Sequence, residues 1–237
     1  MGSFSINDYR DYEADKANGL DDRPLVKGTI SRPFALWFSV VALVVVLGLS
    51  FLLPFVAQMI SLGSTIIFYV YSLGGKKVLG LKNFLVALSY FIVTLLGSLL
   101  VNLTLEPLLW FGAVVSIIMG FAAEVLFDIR DVKGDTKAQV HTFANKFGKK
   151  TAAWIVASLL FIIVLTNWIP AVVLIDERLY KDYLFLGLML FTVSGYGTVG
   201  IIVLKNQEQK TIKLLRKILM GLMQFGVLSF LIGVLVN

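Results

Sequence analysis

Residues 34–53 read FALWFSVVALVVVLGLSFLL, twenty consecutive positions without a charged side chain. A helix rises about 1.5 Å per residue, so a segment of this length crosses the roughly 30 Å of hydrocarbon in a bilayer. Six further apolar segments follow, and the predicted spans are 34–53, 54–73, 83–101, 107–126, 151–170, 183–204 and 214–236. The sequence therefore predicts an all-α fold, a multi-span transmembrane helical bundle that forms one domain over residues 1–237.

The composition excludes several other classes of protein. Hydrophobic residues make up 58% of the chain and charged residues 15%, against about 45–50% and about 25% in a soluble domain. The absence of cysteine excludes a disulfide framework, a thiolate metal site and a cysteine nucleophile. The net charge of +6 lies in short loops between apolar spans rather than on one soluble face, so no nucleic-acid partner is expected.

The basic residues set the predicted orientation. Segments 1–33, 74–82, 127–150 and 205–217 carry 19 of the 21 Lys and Arg residues, and Arg178 and Lys181 are the other two. Since Lys and Arg near span ends are retained on the cytoplasmic side, all four segments are expected there. The chain is thus predicted to be a multi-pass protein of the cell membrane. Four basic residues near the start of the last span are expected to mark topology and meet anionic headgroups: Lys210, Lys213, Arg216 and Lys217.

Two of the cytoplasmic segments carry acidic residues at helical spacing. The first contains Asp8, Asp11 and Asp15. The third contains Glu124, Asp128, Asp131 and Asp135. In a helix, each set falls within about 60° of one face, provided that the second helix continues past Gly134. The chain would then carry two acidic stripes on the same side of the membrane.

The stripes indicate a cation site. Like charges one turn apart repel, and clustered oxygen ligands without His or Cys favour a hard ion such as Mg²⁺, which bridges carboxylates to substrate phosphates. Basic residues close by are candidates for the remaining phosphate oxygens: Arg10, Arg23, Lys27, Lys76, Lys77, Arg130 and Lys137. The alternative is that all these groups are ordinary solvated loop charges.

At these residues the chain resembles the UbiA superfamily of intramembrane prenyltransferases. The family's first motif, N-D-x-x-D-x-x-x-D, is matched by Asn7, Asp8, Asp11 and Asp15, followed by a match to R-P-x-x-x-G at 23–28. The second motif, D-x-x-D-x-x-x-D, is matched by Asp128, Asp131 and Asp135. The sequence around both motifs is most similar to that of the archaeal-type digeranylgeranylglyceryl phosphate synthases.

The resemblance implies an enzyme that transfers a prenyl group with Mg²⁺ as cofactor. The donor would be a polyprenyl diphosphate, geranylgeranyl diphosphate, and the acceptor hydroxyl would belong to geranylgeranylglyceryl phosphate, giving an ether lipid. The implied metal-binding residues are Asn7, Asp8, Asp11, Asp15, Asp128, Asp131 and Asp135, of which Asp8, Asp11, Asp128 and Asp131 are also assigned as catalytic. The implied substrate-binding residues are Arg23, Lys27, Tyr71, Lys76, Lys77, Arg130 and Lys137. Membrane lipids are the further partner.

The chain departs from the family pattern in three respects. Family members usually have nine transmembrane helices, two of them before the first motif, whereas seven spans are predicted here and the first motif begins at Asn7. The chain is therefore expected to lack the first two helices of the family. Gln139 replaces a glycine that is common after the second motif, and Ala123 stands where close relatives often carry a basic residue.

Two alternatives stay open at this point. A UbiA-type enzyme could prenylate a quinone-ring precursor or chlorophyllide instead of a lipid phosphate. The chain could also be a truncated, non-catalytic membrane protein or a cation transporter. In a transporter the acidic residues should lie near the middle of the membrane, whereas here they lie at the cytoplasmic ends of the predicted spans.

Overall fold

A computed structural model describes residues 2–74, 78–101, 106–137 and 139–236. These residues form helices and no strands, and the all-α prediction is confirmed. The helices are α1 Gly2–Ala17, α2 Pro24–Lys27, α3 Arg32–Ser50, α4 Phe55–Gly74, α5 Leu81–Val101, α6 Pro107–Lys137, α7 Phe143–Phe147, α8 Lys149–Thr166, α9 Ile169–Val172, α10 Tyr183–Lys205 and α11 Gln209–Val236.

The seven predicted spans are confirmed, since seven segments among the described residues are long and apolar enough to cross a membrane. They correspond to α3, α4, α5, α6, the α8–α9 segment, α10 and α11. Two boundaries differ from the prediction. Helix α6 continues from the predicted end at residue 126 to Lys137, and α8 ends at Thr166, short of residue 170. Pro170 explains the second difference, because it has no N–H to donate to the Thr166 carbonyl.

Helix α6 lies at the centre of the bundle, in contact with α1, α5, α7, α8 and α11. Helix α10 packs against α8 and α11 and completes this part of the fold. The largest cluster of buried apolar residues lies between these helices and includes Leu126, Ile129, Leu160, Val203 and Leu219. Other apolar side chains face outwards, as at Leu165, Phe191 and Leu235. Such an exposed apolar surface is suited to a surrounding bilayer.

Helix α1 carries the first motif and packs against α3, α4 and α6. Side-chain hydroxyl groups fix its first turns to α3, because Ser39 donates to the Gly2 carbonyl at 2.9 Å and Ser5 donates to the Ala35 carbonyl at 3.1 Å. Tyr69 on α4 in turn donates to the Ser39 carbonyl at 2.8 Å. The position of α1 is therefore set by polar contacts at one end and by α6 at the other.

The contact between α1 and α6 depends on Gly134. Its backbone N–H donates to Asn18 Oδ1 at 2.6 Å. A Cβ atom at this position would overlap the Asn18 side chain and the Ala14 carbonyl oxygen. Glycine inside a helix normally costs stability relative to alanine, so its presence here reflects the close approach of the two helices.

We expect Gly134→Ala to lower the free energy of unfolding by about 1–3 kcal/mol, the usual cost of overpacking a close contact. Reversible unfolding of the purified protein in mixed detergent micelles, followed by tryptophan fluorescence, would measure this change. Gly112→Ala is the matched control, because Gly112 lies on the same helix and a Cβ there would meet nothing within 4 Å. Equal stability of the two variants would contradict the close α1–α6 contact.

Candidate active site

The first acidic stripe lies on α1, which is helical through all three aspartates. Nη1 of Arg23 lies 2.8 Å from Asp8 Oδ1 and 2.8 Å from Asp15 Oδ2. Asn7 donates from Nδ2 to Asp11 Oδ2 at 2.9 Å. One arginine from the segment after α1 therefore joins the two ends of the stripe, and an asparagine one turn earlier orients its middle carboxylate.

The second stripe lies on α6, where Asp128 is the most enclosed acidic residue, with a side chain that is 0% exposed. Lys82 donates to its Oδ1 at 2.7 Å and Asn83 Nδ2 donates to its Oδ2 at 2.7 Å. The same lysine nitrogen lies 3.7 Å from Glu124 Oε2. Burying a carboxylate away from water is costly without a charged partner. Lys82 and Asn83, in the first turn of α5, therefore stabilise the buried Asp128 carboxylate.

The next two acids of the second stripe differ in their partners. Arg130 forms two parallel hydrogen bonds with Asp131, from Nε to Oδ1 and from Nη2 to Oδ2, each 2.6 Å long. Asp135, one turn further, is buried, and its Oδ2 has no hydrogen-bond partner among the residues that the structure describes. A buried carboxylate oxygen of this kind is able to accept a ligand without losing an existing bond.

The two stripes meet at the contact between Asn18 and Gly134. Asn18 lies one turn after Asp15, and Gly134 lies between Asp131 and Asp135. Accordingly, Asp131 acts electrostatically on Asp15, and Asp11 acts on Asp135. The fold thus places the carboxylates of both motifs together at the same end of the bundle, which is the arrangement that the sequence predicted.

Asp15 is a buried acid of the first motif, and its pKa reflects both its burial and its charged neighbours. Burial raises the pKa of this carboxyl from its ordinary value of 3.8 to about 7. Arg23 opposes the rise, while Asp11, Asp8 and Asp131 add to it. Burial is thus the main cause of the raised pKa, and the neighbouring carboxylates are a smaller one.

The donor set fits a hard divalent cation, because it consists of carboxylate oxygens with an amide oxygen beside them. It includes Asp135 Oδ2, which has no hydrogen-bond partner within the described part of the chain. Within the described ranges, no three His, Cys, Asp or Glu side chains already converge closely enough to hold a metal ion. The carboxylates face Arg23, Lys82 and Arg130 instead. A cation bound by the carboxylates of these ion pairs would therefore compete with their basic partners, whereas Asp135 Oδ2 has no such partner among the described residues.

Three of the residues predicted to bind substrate lie at this end of the bundle. Arg23 and Arg130 contact motif carboxylates directly. Tyr71 is 8% exposed, and its hydroxyl group is buried without a hydrogen-bond partner in the described part of the chain. The charges of Lys82 and Asp11 act on it. Tyr71 therefore presents an unused hydrogen-bonding group within range of both motifs.

The other predicted substrate-binding residues are not brought to the acids by this structure. Lys27 and Lys137 are exposed at the ends of α2 and α6, and neither side chain bonds to a motif acid within the described residues. Lys76 and Lys77 lie outside the described residues. A role for these four lysines stays a prediction.

Sequence reasoning missed Lys82, Asn83 and Asn18 as members of the site. Lys82 and Asn83 precede a long apolar run in which no other charged residue occurs up to position 101. Their partner Asp128 is 45 or 46 residues away. The available signal was a lysine followed by an asparagine at the start of a span, positions where a polar side chain faces inwards or towards headgroups. That signal does not say which acid the lysine will meet.

The geometry defines a membrane-embedded helical bundle with two facing acidic motifs at one end, and sequence comparison assigns this arrangement to a family. The chain belongs to the UbiA prenyltransferase family, whose sequence profile matches residues 1–235. It is thus an integral membrane prenyltransferase, and the predicted family and enzyme class are confirmed.

Similar proteins include digeranylgeranylglyceryl phosphate synthases of archaea. The synthase of Thermococcus gammatolerans is 29% identical over 235 residues, which cover 99% of this chain and 81% of that protein. The synthase of Thermococcus kodakarensis is 28% identical over 237 residues, covering 100% and 82% of the two chains. A solved structure from work on digeranylgeranylglyceryl phosphate synthase in membranes superposes with a TM-score of 0.72 at 24% identity, covering 100% of this chain and 81% of that one. This last likeness supports the fold.

We expect Lys82→Met to lower the free energy of unfolding by about 3–5 kcal/mol, because it leaves the Asp128 carboxylate buried without its cation. The double variant Lys82→Met/Asp128→Leu should recover most of this loss, since both charges are then absent. Unfolding in mixed micelles measures both variants.

Lys217→Met serves as the control for the loss of a lysine, because Lys217 is exposed on α11, and it should change stability by less than about 0.5 kcal/mol. Additive losses in the double variant would show that Asp128 does not depend on Lys82.

Proposed function

We propose that this prenyltransferase transfers the geranylgeranyl group of geranylgeranyl diphosphate, with Mg²⁺, to the free hydroxyl group of geranylgeranylglyceryl phosphate. The observation that carries the proposal is the pairing of the two aspartate motifs across the α1–α6 contact. The similar proteins add support for the acceptor, because they are named as digeranylgeranylglyceryl phosphate synthases.

In this proposal the carboxylates of both motifs hold Mg²⁺, together with the Asn7 amide. The residues are Asn7, Asp8, Asp11, Asp15, Asp128, Asp131 and Asp135. When bound, the metal stabilises the negative charge that builds up on the departing diphosphate. Arg23, Lys82 and Arg130 already contact these carboxylates. A diphosphate bound there would replace the carboxylate as the hydrogen-bond acceptor of each of these basic side chains.

The reaction breaks the bond between the allylic carbon and the diphosphate oxygen, and both electrons leave with the diphosphate. The acceptor hydroxyl oxygen then forms the new bond to that carbon and gives up its proton to the released diphosphate. The apolar interior of the bundle next to α6 shields the electron-deficient allylic carbon from water. Tyr71 is a candidate to stabilise this carbon through its aromatic ring, because it is buried and lies within electrostatic range of Glu124 and Asp128.

We further propose that the motif end of the bundle faces the cytoplasm. The basic residues support this orientation, because 19 of the 21 lie in the four segments at that end of the predicted spans. A water-soluble diphosphate headgroup would then reach the site from the aqueous phase, while the prenyl chains of donor and acceptor stay in the membrane.

Removal of one carboxylate from either motif should abolish most of the activity. We expect Asp8→Asn and Asp128→Asn each to lower the rate of prenyl transfer about 100- to 1000-fold, the typical loss when one preorganised electrostatic group is removed. Both should also weaken Mg²⁺-dependent binding of geranylgeranyl diphosphate. Radiolabelled donor measures transfer and binding in the same preparation.

Glu13→Gln is the matched control, since Glu13 is an exposed carboxylate on α1 outside the motif. It should retain the activity of the unmodified chain. Unchanged diphosphate binding in both aspartate variants would argue for a protein that does not use the motifs for catalysis.

A panel of acceptors tests the substrate assignment. With labelled geranylgeranyl diphosphate and Mg²⁺, we expect product from geranylgeranylglyceryl phosphate and none from a quinone-ring precursor or chlorophyllide. Chelation of divalent ions should stop the reaction, and added Mg²⁺ should restore it. Product found only on an aromatic acceptor would overturn the assignment of a lipid acceptor while leaving the prenyltransferase activity in place.

A further inference from the structure

Arg216 projects from α11 towards the site and stacks on an aromatic ring. Its guanidinium carbon lies 4.5 Å from the centre of the Phe127 ring, and that of Arg130 lies 6.0 Å from the same centre. The distance between the guanidinium carbons of Arg216 and Arg130 is therefore at most the sum of these two distances. Phe127 precedes Asp128 on α6, so the stack is directly adjacent to the second motif.

Arg216 differs from the other two arginines of the site because it has no acidic partner among the residues that the structure describes. Arg23 contacts Asp8 and Asp15, and Arg130 contacts Asp131. By contrast, the Arg216 side chain forms no hydrogen bond or ion pair with any residue in the described ranges, although it is half-buried. A partly desolvated cation of this kind is stabilised by an anion.

The charges around Arg216 favour the binding of an anion beside it. The positive charges of Arg130 and Arg23 both act on it, and the negative charges of Asp131 and Glu124 act from beyond ion-pair distance. Three guanidinium groups from three separate segments thus surround one region beside the motifs. Only the one on α11 has its hydrogen-bond donors uncommitted to a carboxylate within the described residues.

The depth of Arg216 in the bundle also points to a lipid phosphate. It lies two turns into α11, which begins at Gln209, close to the level at which a headgroup meets the hydrocarbon. Lys217 and Lys210 on the same helix are exposed, as expected for side chains that reach the bulk headgroups. Arg216 instead faces α6 and the interior of the site. Arg216 thus differs in its surroundings from Lys210 and Lys217, for which contact with anionic headgroups stays a prediction.

We propose that Arg216 binds the phosphate monoester of the lipid acceptor. Phe127 packs against its guanidinium group, and Arg130 adds a second positive charge. The proposal rests on the proposed function and specifies which part of the acceptor the bundle recognises. A guanidinium group suits this role because it donates two parallel hydrogen bonds to phosphate oxygens. The acceptor hydroxyl group is thereby held beside the aspartate motifs, where the prenyl carbon arrives.

The test compares two acceptors that differ only in the phosphate, geranylgeranylglyceryl phosphate and geranylgeranylglycerol. Each is titrated against the full chain in nanodiscs of phosphatidylcholine, and binding is measured by thermophoresis. We expect Arg216→Gln to weaken binding of the phosphorylated lipid about 10- to 100-fold, as when a charge-assisted hydrogen bond is lost. Binding of geranylgeranylglycerol should stay unchanged. The affinity of Arg216→Lys for the phosphorylated lipid should lie between those of the unmodified chain and Arg216→Gln, because lysine retains the charge and lacks the planar guanidinium group.

Lys217→Gln is the control, since it removes an exposed positive charge from the next position of the same helix. It should leave both affinities unchanged in phosphatidylcholine nanodiscs and lower only the response to added anionic lipid. If Arg216→Gln behaves like Lys217→Gln, then Arg216 serves the bulk headgroups and the proposal is wrong. If Arg216→Gln does not fold, as judged by its melting temperature, Arg216→Lys decides between the same two outcomes.

Transfer kinetics separate this proposal from the proposed function. In Arg216→Gln the KM for the phosphorylated acceptor should rise by the same factor as its Kd, while the KM for geranylgeranyl diphosphate stays constant. An unmodified chain that binds the phosphorylated acceptor through Arg216 and transfers nothing to it would defeat the proposed function and leave the phosphate site standing. Transfer that proceeds with equal KM in the two proteins would defeat the phosphate site alone.

Discussion

The acidic faces of α1 and α6 can lie side by side only if positive charge is placed between and around them. Carboxylates one turn apart repel each other within a helix, and the close approach at Gly134 adds repulsion between the helices. Arg23, Lys82 and Arg130 supply the compensation from three different segments. Of these contacts, the one between Lys82 and Asp128 also joins α5 to α6, whereas α1 meets α6 through the hydrogen bond between Gly134 and Asn18.

Most of the fold could be predicted from the sequence because each span is a local property of the chain. Twenty apolar residues in a row, as in 34–53, have a length and composition that need no tertiary information to interpret. The ends of the helices are predicted less accurately where polar residues continue a helix beyond its apolar span. Hydropathy ends the fourth span near residue 126, yet α6 continues to Lys137 because its charged last turns are packed against α1 rather than released into water.

The acids of the site could be predicted for a similar reason, since the spacing of Asp8, Asp11 and Asp15 follows from one helix alone. The long-range contacts made by Lys82 and Arg216 could not be predicted in this way. The pairing of Lys82 with Asp128 joins residues 46 positions apart, and the stacking of Arg216 on Phe127 joins α11 to α6. Neither leaves a local pattern in the sequence. In the basic segment 205–217, four lysines and one arginine look alike as topology markers, and only the packing of α11 on α6 distinguishes the arginine that faces the site.

The position of the charged groups along the bundle fits the physical form of the proposed substrates. Donor and acceptor are both amphiphiles, each with a long apolar chain and a phosphate headgroup, so a reaction between their headgroups belongs where hydrocarbon gives way to water. Among the described residues, the ionic contacts of the proposed site lie on α6 from Glu124, near the end of the predicted apolar span 107–126, to Asp135, while other parts of the helices present an apolar outer surface. Charge placed deeper would cost more, and charge placed farther out would be solvated and would bind phosphate weakly. The depth at which α1 meets α6 therefore sets both the stability of the acidic faces and their capacity to bind headgroups.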